Sequence, residues 1–251
     1  MKFQHSMIAT AVAAGLTGLA SAGIPVMGVS ITSSGGGSAS QSPAGVAVDG
    51  VPNQFRYVSS PSMIAVGNFV ASYELFAMDT SVSDRQAVGG LISLINASAV
   101  TQTYTVNIAA SCLPQGSSSL LSGSMSGTLQ DGSGNGNGAT FSIGGTSGGW
   151  AGFIGNGGVN TQVGSLFTAP LTVTAAPWST NQIVGQSFGI PSPLTSGLPM
   201  GDSASIRITF QLSAGDRVDL TTVFVVAVPA PGAFALVAAA GIVGSPRRRR
   251  A

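Results

Sequence analysis

The chain has 251 residues, of which 36 are Gly, 13 are Pro, and only 9 Lys+Arg and 8 Asp+Glu carry charge. A coiled coil or helical repeat needs abundant Glu, Lys and Leu at helical spacing, and an electrostatic nucleic-acid binder needs clustered basic residues on its folded part, so both are excluded. A hydrophobic content of 44% is too high for a disordered polar chain, and the length suits one Gly-rich body with a sizeable core.

At the N-terminus, Lys2 and His5 precede an uncharged stretch from Met7 to Leu19, followed by the small residues Ala20-Ser21-Ala22. This order is that of a secretory signal peptide, residues 1–22, cleaved by signal peptidase after Ala22, with Ala20 and Ala22 at the recognition positions. The apolar run is shorter than the ~20 residues of a membrane span. Residues 23–45, which include Ser-Ser-Gly-Gly-Gly-Ser-Ala-Ser-Gln-Ser-Pro from Ser33 to Pro43, read as a Gly/Ser-rich linker.

Residues 46–228 alternate short Val/Ile/Thr/Phe/Tyr runs with Gly/Asn/Ser/Pro clusters, and none keeps helical spacing for long. Strands are predicted at 55–58, 69–78, 90–95, 101–110, 124–129, 140–143, 151–154, 171–175, 205–212 and 218–228. Several have one apolar and one polar face: Tyr104, Val106 and Ile108 alternate with Thr103, Thr105 and Asn107. The turns Asn96 to Ala99 and Ser213 to Asp216 each predict a β-hairpin, joining 91–95 to 101–110 and 206–212 to 218–228. The expected fold is all-β, a β-sandwich of jelly-roll or immunoglobulin-like type; without a fixed repeat period, a β-solenoid ranks second.

Candidate chemistry is sparse. The sole histidine, His5, lies in the leader, so the Gly-x-Ser-x-Gly stretches at 185–189 and 145–149 lack a general base, and histidine-ligated zinc or iron has no ligand. A P-loop needs a lysine, and the body has none. Glu74, Asp79 and Asp84 lie close in sequence with nothing to make them converge, Asp216 and Asp219 flank Arg217 as turn residues, and no enzymatic activity is expected. Cys112, the single cysteine, cannot form an internal disulfide and reads as a small buried apolar residue. In Asp131-Gly132-Ser133-Gly134-Asn135-Gly136-Asn137-Gly138, oxygen-bearing side chains alternate with glycines, so that Asp131, Ser133 and Asn135 can converge on a weakly held calcium ion. No other cofactor is implied. Trp150 and Trp178, near loop boundaries, are the candidates for stacking on a saccharide; core positions are the alternative for both.

Beyond Asp219 the next charge is Arg247. Val228-Pro229-Ala230-Pro231-Gly232 leads into an Ala-rich apolar segment ending at Gly244, then Arg247-Arg248-Arg249-Arg250. Thirteen helical residues reach about 20 Å against a hydrocarbon core of about 30 Å, a marginal span with its basic cluster on the cytoplasmic side. This tripartite tail, residues 229–251, resembles the PEP-CTERM sorting signal of exosortase substrates, with Ala230 where the motif has Glu. The resemblance, confined to the tail, implies export in a Gram-negative bacterium, a transient membrane anchor by a short C-terminal helix, and processing by an exosortase-like membrane enzyme. Without leader and tail, four Arg face eight carboxylates, a net charge of −4 that gives nucleic acid no basic surface. The expected function is that of an exported, non-catalytic cell-surface or extracellular-matrix protein. The alternative is a carbohydrate-binding module of the exopolysaccharide matrix.

Overall fold

The computed structural model describes residues 23–59, 64–78, 85–132, 136–145 and 148–228. Leader and tail, with the two helices expected there, lie outside the described residues, as do Asp79, Asp84, Ser133 and Asn135. The described residues contain no helix long and apolar enough to cross a membrane. They form seventeen strands in chain order: β1 Met27–Ser33, β2 Ser38–Gln41, β3 Val46–Ala47, β4 Gln54–Val58, β5 Ile64–Val66, β6 Phe69–Met78, β7 Arg85–Asn96, β8 Gln102–Ser111, β9 Gln115–Gln130, β10 Ala139–Ile143, β11 Trp150–Asn156, β12 Val159–Leu166, β13 Leu171–Ala175, β14 Thr180–Phe188, β15 Leu194–Met200, β16 Ser203–Leu212 and β17 Arg217–Ala227.

These strands make two antiparallel sheets packed face to face, so the protein is an all-β sandwich. One sheet runs β12-β11-β16-β8-β1-β2, with β10 beside the last residues of β16, on the edge that β11 occupies further back, and β13 beyond it; the other runs β14-β9-β17-β7-β6-β4-β3, with β15 on β9 and β5 on β6. Alternation along each strand turns one face inward, as in β16, where Ile206, Ile208, Phe210 and Leu212 are buried. Two chains of rings knit the layers. Phe69, Tyr104, Phe210 and Phe141 pack in sequence at centroid separations of 6.0, 5.7 and 5.3 Å, and Trp150 packs edge-on to Phe188 and Phe224 at 5.7 and 5.9 Å. Glycine makes the room that Trp150 needs. A Cβ on Gly123 would lie 2.8 Å from the Trp150 ring, and one on Gly152 would lie 2.9 Å from that of Phe224.

The segment expected to be a linker is instead part of the sandwich. Met27, Val29 and Ile31 alternate with small residues and are buried, β1 pairs with β8 along its whole length, and the Gly/Ser stretch is the turn into β2. The polar composition of β2 had hidden a strand on the sheet edge.

Both predicted hairpins are also corrected. The strands exist, but β7 pairs with β6 and β17 while β8 pairs with β1 and β16, and β16 likewise lies in the opposite sheet from β17. The links are arches that cross from one sheet to the other. Asn96, fully buried, holds the two arches together: its amide Nδ2–H donates to the carbonyls of Val100, Leu212 and Ser213 at 2.9, 2.9 and 3.0 Å, and its backbone N–H donates to the Asp216 carbonyl. The two amide protons, one of them shared between two of these carbonyls, thus reach carbonyls of both arches.

Candidate functional site

Four of the links that cross between the sheets stand in a row. In one sheet β8, β16, β10 and β13 are successive neighbours, and in the other β7, β17, β9 and β14 are, so the connections β7–β8, β16–β17, β9–β10 and β13–β14 close the same end of the sandwich side by side. The last arch carries Pro177, Trp178 and Ser179.

Trp178 differs from its surroundings in two respects. Its relative exposure is 71%, and its backbone is left-handed, with φ 61°. Among the described residues only Asn53 and Phe167 share that conformation outside glycine; Asn tolerates it, and Phe167 is held by complete burial. For an exposed aromatic there is no such return from packing, so local bonds fix the turn. The Trp178 N–H donates to Oδ2 of Asp131 at 2.8 Å, the Asp131 N–H donates to the Ser179 carbonyl at 3.1 Å, and the Ser179 hydroxyl donates to the Ala176 carbonyl at 2.7 Å. Asp131, 5% exposed at the end of β9, is thus the peg on which the Trp178 arch hangs. Backbone strain at an exposed functional-type side chain, maintained by a buried carboxylate, is the pattern expected where presentation of the side chain matters.

The other sequence candidates fall elsewhere. Trp150 is wholly buried, its indole N–H donating to the Thr222 hydroxyl of the facing sheet at 2.7 Å, so it belongs to the core and not to a binding surface. Asp131 accepts from the Trp178 N–H of the neighbouring arch, and its companions in the expected calcium set, Ser133 and Asn135, lie outside the described residues. Asp216, expected as a surface turn residue, is 1% exposed and beside Asp131. Burial pushes its carboxyl above the usual carboxylate range, the nearby Asp131 charge adds to this, and hydrogen bonds from Ser213 and the Gly132 N–H oppose it. Nothing in the sequence brought Asp131 and Asp216 together, because their proximity depends on the order of the arches.

The remaining polar groups are engaged in the structure itself. Glu74 is exposed and accepts from Arg56 Nε at 2.7 Å, which holds its carboxyl below its ordinary value, and Arg217 Nη2 lies 3.0 Å from Asp219 Oδ1. A shallow depression of about 300 Å³ beside Glu74, Val58 and Leu91 has Tyr73 on its wall, whose hydroxyl already donates to Gln41. Cys112 is buried just beyond β8; its thiol donates to the Gly201 carbonyl, and burial, reinforced by Asp202, pushes its pKa up to about 12, so it is no nucleophile. The stretch from Gly185 to Gly189 lies in and just after edge strand β14, with Ser187 paired to Ser124, not at a strand-to-helix elbow.

No protein-family model matches the chain, and no curated protein does. Among solved structures the chain is similar to that of TmCBM61 in complex with beta-1,4-galactotriose, at 10% identity and a TM-score of 0.24, over 62% of this chain and 86% of that one. A likeness so distant has no bearing on function.

Proposed function

We propose that this is an exported, non-catalytic surface or matrix protein whose sandwich binds an uncharged polysaccharide through Trp178, and that its tail directs it to an exosortase-like membrane enzyme. The observation that carries the binding role is the exposed indole held in a left-handed turn by buried Asp131. A Trp face is large, rigid and apolar with a polar edge, suited to lie against the C–H face of a pyranose ring. The net charge of −4 between leader and tail selects against acidic glycans and phosphate backbones, leaving neutral sugars as the compatible partners.

The test is affinity electrophoresis of the secreted protein through gels containing neutral polysaccharides, preceded by a glycan array to choose them. Trp178→Ala is expected to weaken binding about tenfold or more, as loss of a central aromatic contact does, while Trp178→Tyr retains most of it. Equal binding by wild type and Trp178→Ala would overturn the role, as would the absence of any array hit. The sorting proposal stands separately: mass spectrometry of the secreted protein should find Arg247 to Arg250 removed, and an intact C-terminus on released material refutes it.

A further inference from the structure

Residues 132–201 include no Asp, Glu, Lys, Arg or His, and they build β10 to β15. Two of these strands, β12 and β14, end their sheets on the same side of the sandwich. They lie close together: the Phe188 ring of β14 is 2.4 Å from where a Cβ on Gly164 of β12 would sit, and the Gln186 amide oxygen accepts from the Phe167 N–H at 2.6 Å. This uncharged side exposes Val159 and Val184, at 67% and 72%.

An edge strand presents a row of unpaired N–H and C=O groups, which proteins blunt with lysine, proline, shortness or a cover. The other edges show such devices. β3 has two residues, β2 reaches the opposite sheet through Gln41, which accepts from the Tyr73 hydroxyl at 2.7 Å, and β15 contains Pro199. The Thr174 carbonyl of β13 accepts from Asn181 Nδ2 at 2.7 Å, and the Gln182 N–H of β14 donates to Asn181 Oδ1 at 2.8 Å. From Val159 to Gln162, β12 has none of them. That stretch is exposed and in regular register with Asn156 to Phe153; beyond the bulge at Val163 the strand becomes half-buried and then buried, at Leu166. The Gly157-Gly158 turn, left-handed at both residues, fixes which groups face out. Val159 and Thr161 bond to β11, so the N–H and C=O of Asn160 and Gln162 point away from it into solvent.

We propose that β12 is the contact of a homodimer, pairing antiparallel with β12 of a second copy across a two-fold axis. A row of alternating backbone donors and acceptors takes another strand as its occupant. A second copy supplies one that fits, because Val159-Asn160-Thr161-Gln162 has no charge to repel its own image and antiparallel pairing is self-complementary under two-fold symmetry. Elsewhere the body, at −4 between leader and tail, repels a copy of itself. Asp202 accepts from the Gly157 N–H at 2.8 Å at the turn end of β12, and antiparallel pairing sets the two turns at opposite ends of the contact. Arg207, two strands in, is held over the Phe153 ring at 4.8 Å. So short a contact belongs to the low end of specific interfaces, so the dimer is weak and its population rises with concentration in the micromolar range. The inference does not rest on the saccharide reading, and its readout needs no glycan.

The experiment is sedimentation velocity of the full secreted protein, without glycan, from about 1 to about 300 µM. Monomer passing into dimer, with no larger species, is the expected result. Thr161→Lys sets a lysine near its own image and is expected to weaken association about tenfold or more, whereas Ser40→Lys, on β2, leaves it within about twofold. Amide hydrogen exchange gives a second reading that needs no variant: the N–H groups of Asn160 and Gln162 should gain protection as the concentration rises, while those of β2 do not. A protein that stays monomeric throughout overturns the proposal. So does a dimer that tolerates Thr161→Lys unchanged, and so do Asn160 and Gln162 amides whose exchange is indifferent to concentration. Loss of the dimer in Trp178→Ala would place the contact at the arch row instead, and open-ended growth would refute the two-fold pairing.

Discussion

The two tryptophans of this chain have similar sequence surroundings and opposite fates. Trp150 follows two glycines at the start of β11 and Trp178 follows a proline in a turn, and each stands at a loop boundary. Trp150 is enclosed: its indole N–H is satisfied by Thr222, Phe188 and Phe224 pack against its ring, and Gly123 leaves space beside it. The described hydrogen bond of Trp178 is made by its backbone, to Asp131, and its ring is exposed on the outermost arch. The difference shows that exposure of an aromatic is decided by which glycines and hydroxyls the other strands bring to it. Neighbours in sequence carry little of that information.

Substitution should separate the two sites most strongly in stability. Trp150→Ala removes a ring that bridges both sheets and leaves Thr222 without its donor, and a loss of about 3–5 kcal/mol is expected in urea unfolding. Trp178→Ala should cost less than about 1 kcal/mol, since little apolar surface is withdrawn from contact. Comparable losses at the two positions would mean that the Trp178 ring packs against the body and is not presented to solvent. Gly152→Val presses on the Phe224 ring within the Trp150 cluster and is expected to cost about 1–3 kcal/mol. A smaller loss would show that the cluster has slack the structure does not reveal.

A finer separation comes from pH. Asp216 has a folded pKa raised by burial, so its contribution is present below the unfolded carboxylate value of about 4 and is lost as the pH rises through the folded value. The wild-type Tm should therefore decline from weakly acidic toward neutral pH by more than that of Asp216→Asn. Parallel Tm curves for the two proteins would contradict a strained carboxylate at the arch row. Trp150→Phe, within the core, should leave the pH dependence of Tm unaltered.

Strand positions were legible because burial of one face imposes period-two alternation wherever a strand has a dry side; Phe69–Met78 and Leu171–Ala175 were read to the residue. The strands that escaped are mostly edges. β12 and β14 are exposed on both faces over most of their length, so no alternation marks them, and β15 contains Gly197 and Pro199. Strand partners were misread for a different reason. A strand shows the same alternation whether the next one lies beside it or across the core, and the short polar links after β7 and β16 suit a hairpin and an arch equally well. Asn96, whose side chain reaches across to Leu212 and Ser213, is what closes these links as arches, and a single Asn in a turn carries no mark of a partner 116 residues away. The candidate site was half legible for the same reason. Trp178 and Asp131 could be singled out by residue type, whereas the bond between them and the nearness of Asp216 depend on the order of the arches.

The smallest perturbation is optical. With two tryptophans, one enclosed and one projecting, acrylamide quenching of the native protein should resolve two populations: an accessible one from Trp178 and a protected one from Trp150. Trp178→Phe should abolish the accessible component and leave the protected one with its emission unshifted, because no described hydrogen bond or ring contact joins the two sites. The same measurement bears on the ligand. A saccharide stacked on the indole withholds that face from the quencher, so a bound neutral polysaccharide should reduce quenching of the accessible component alone, in proportion to occupancy. If saturating polysaccharide instead protects neither component while binding persists in gels, the glycan is held by some other surface and Trp178 is not its platform.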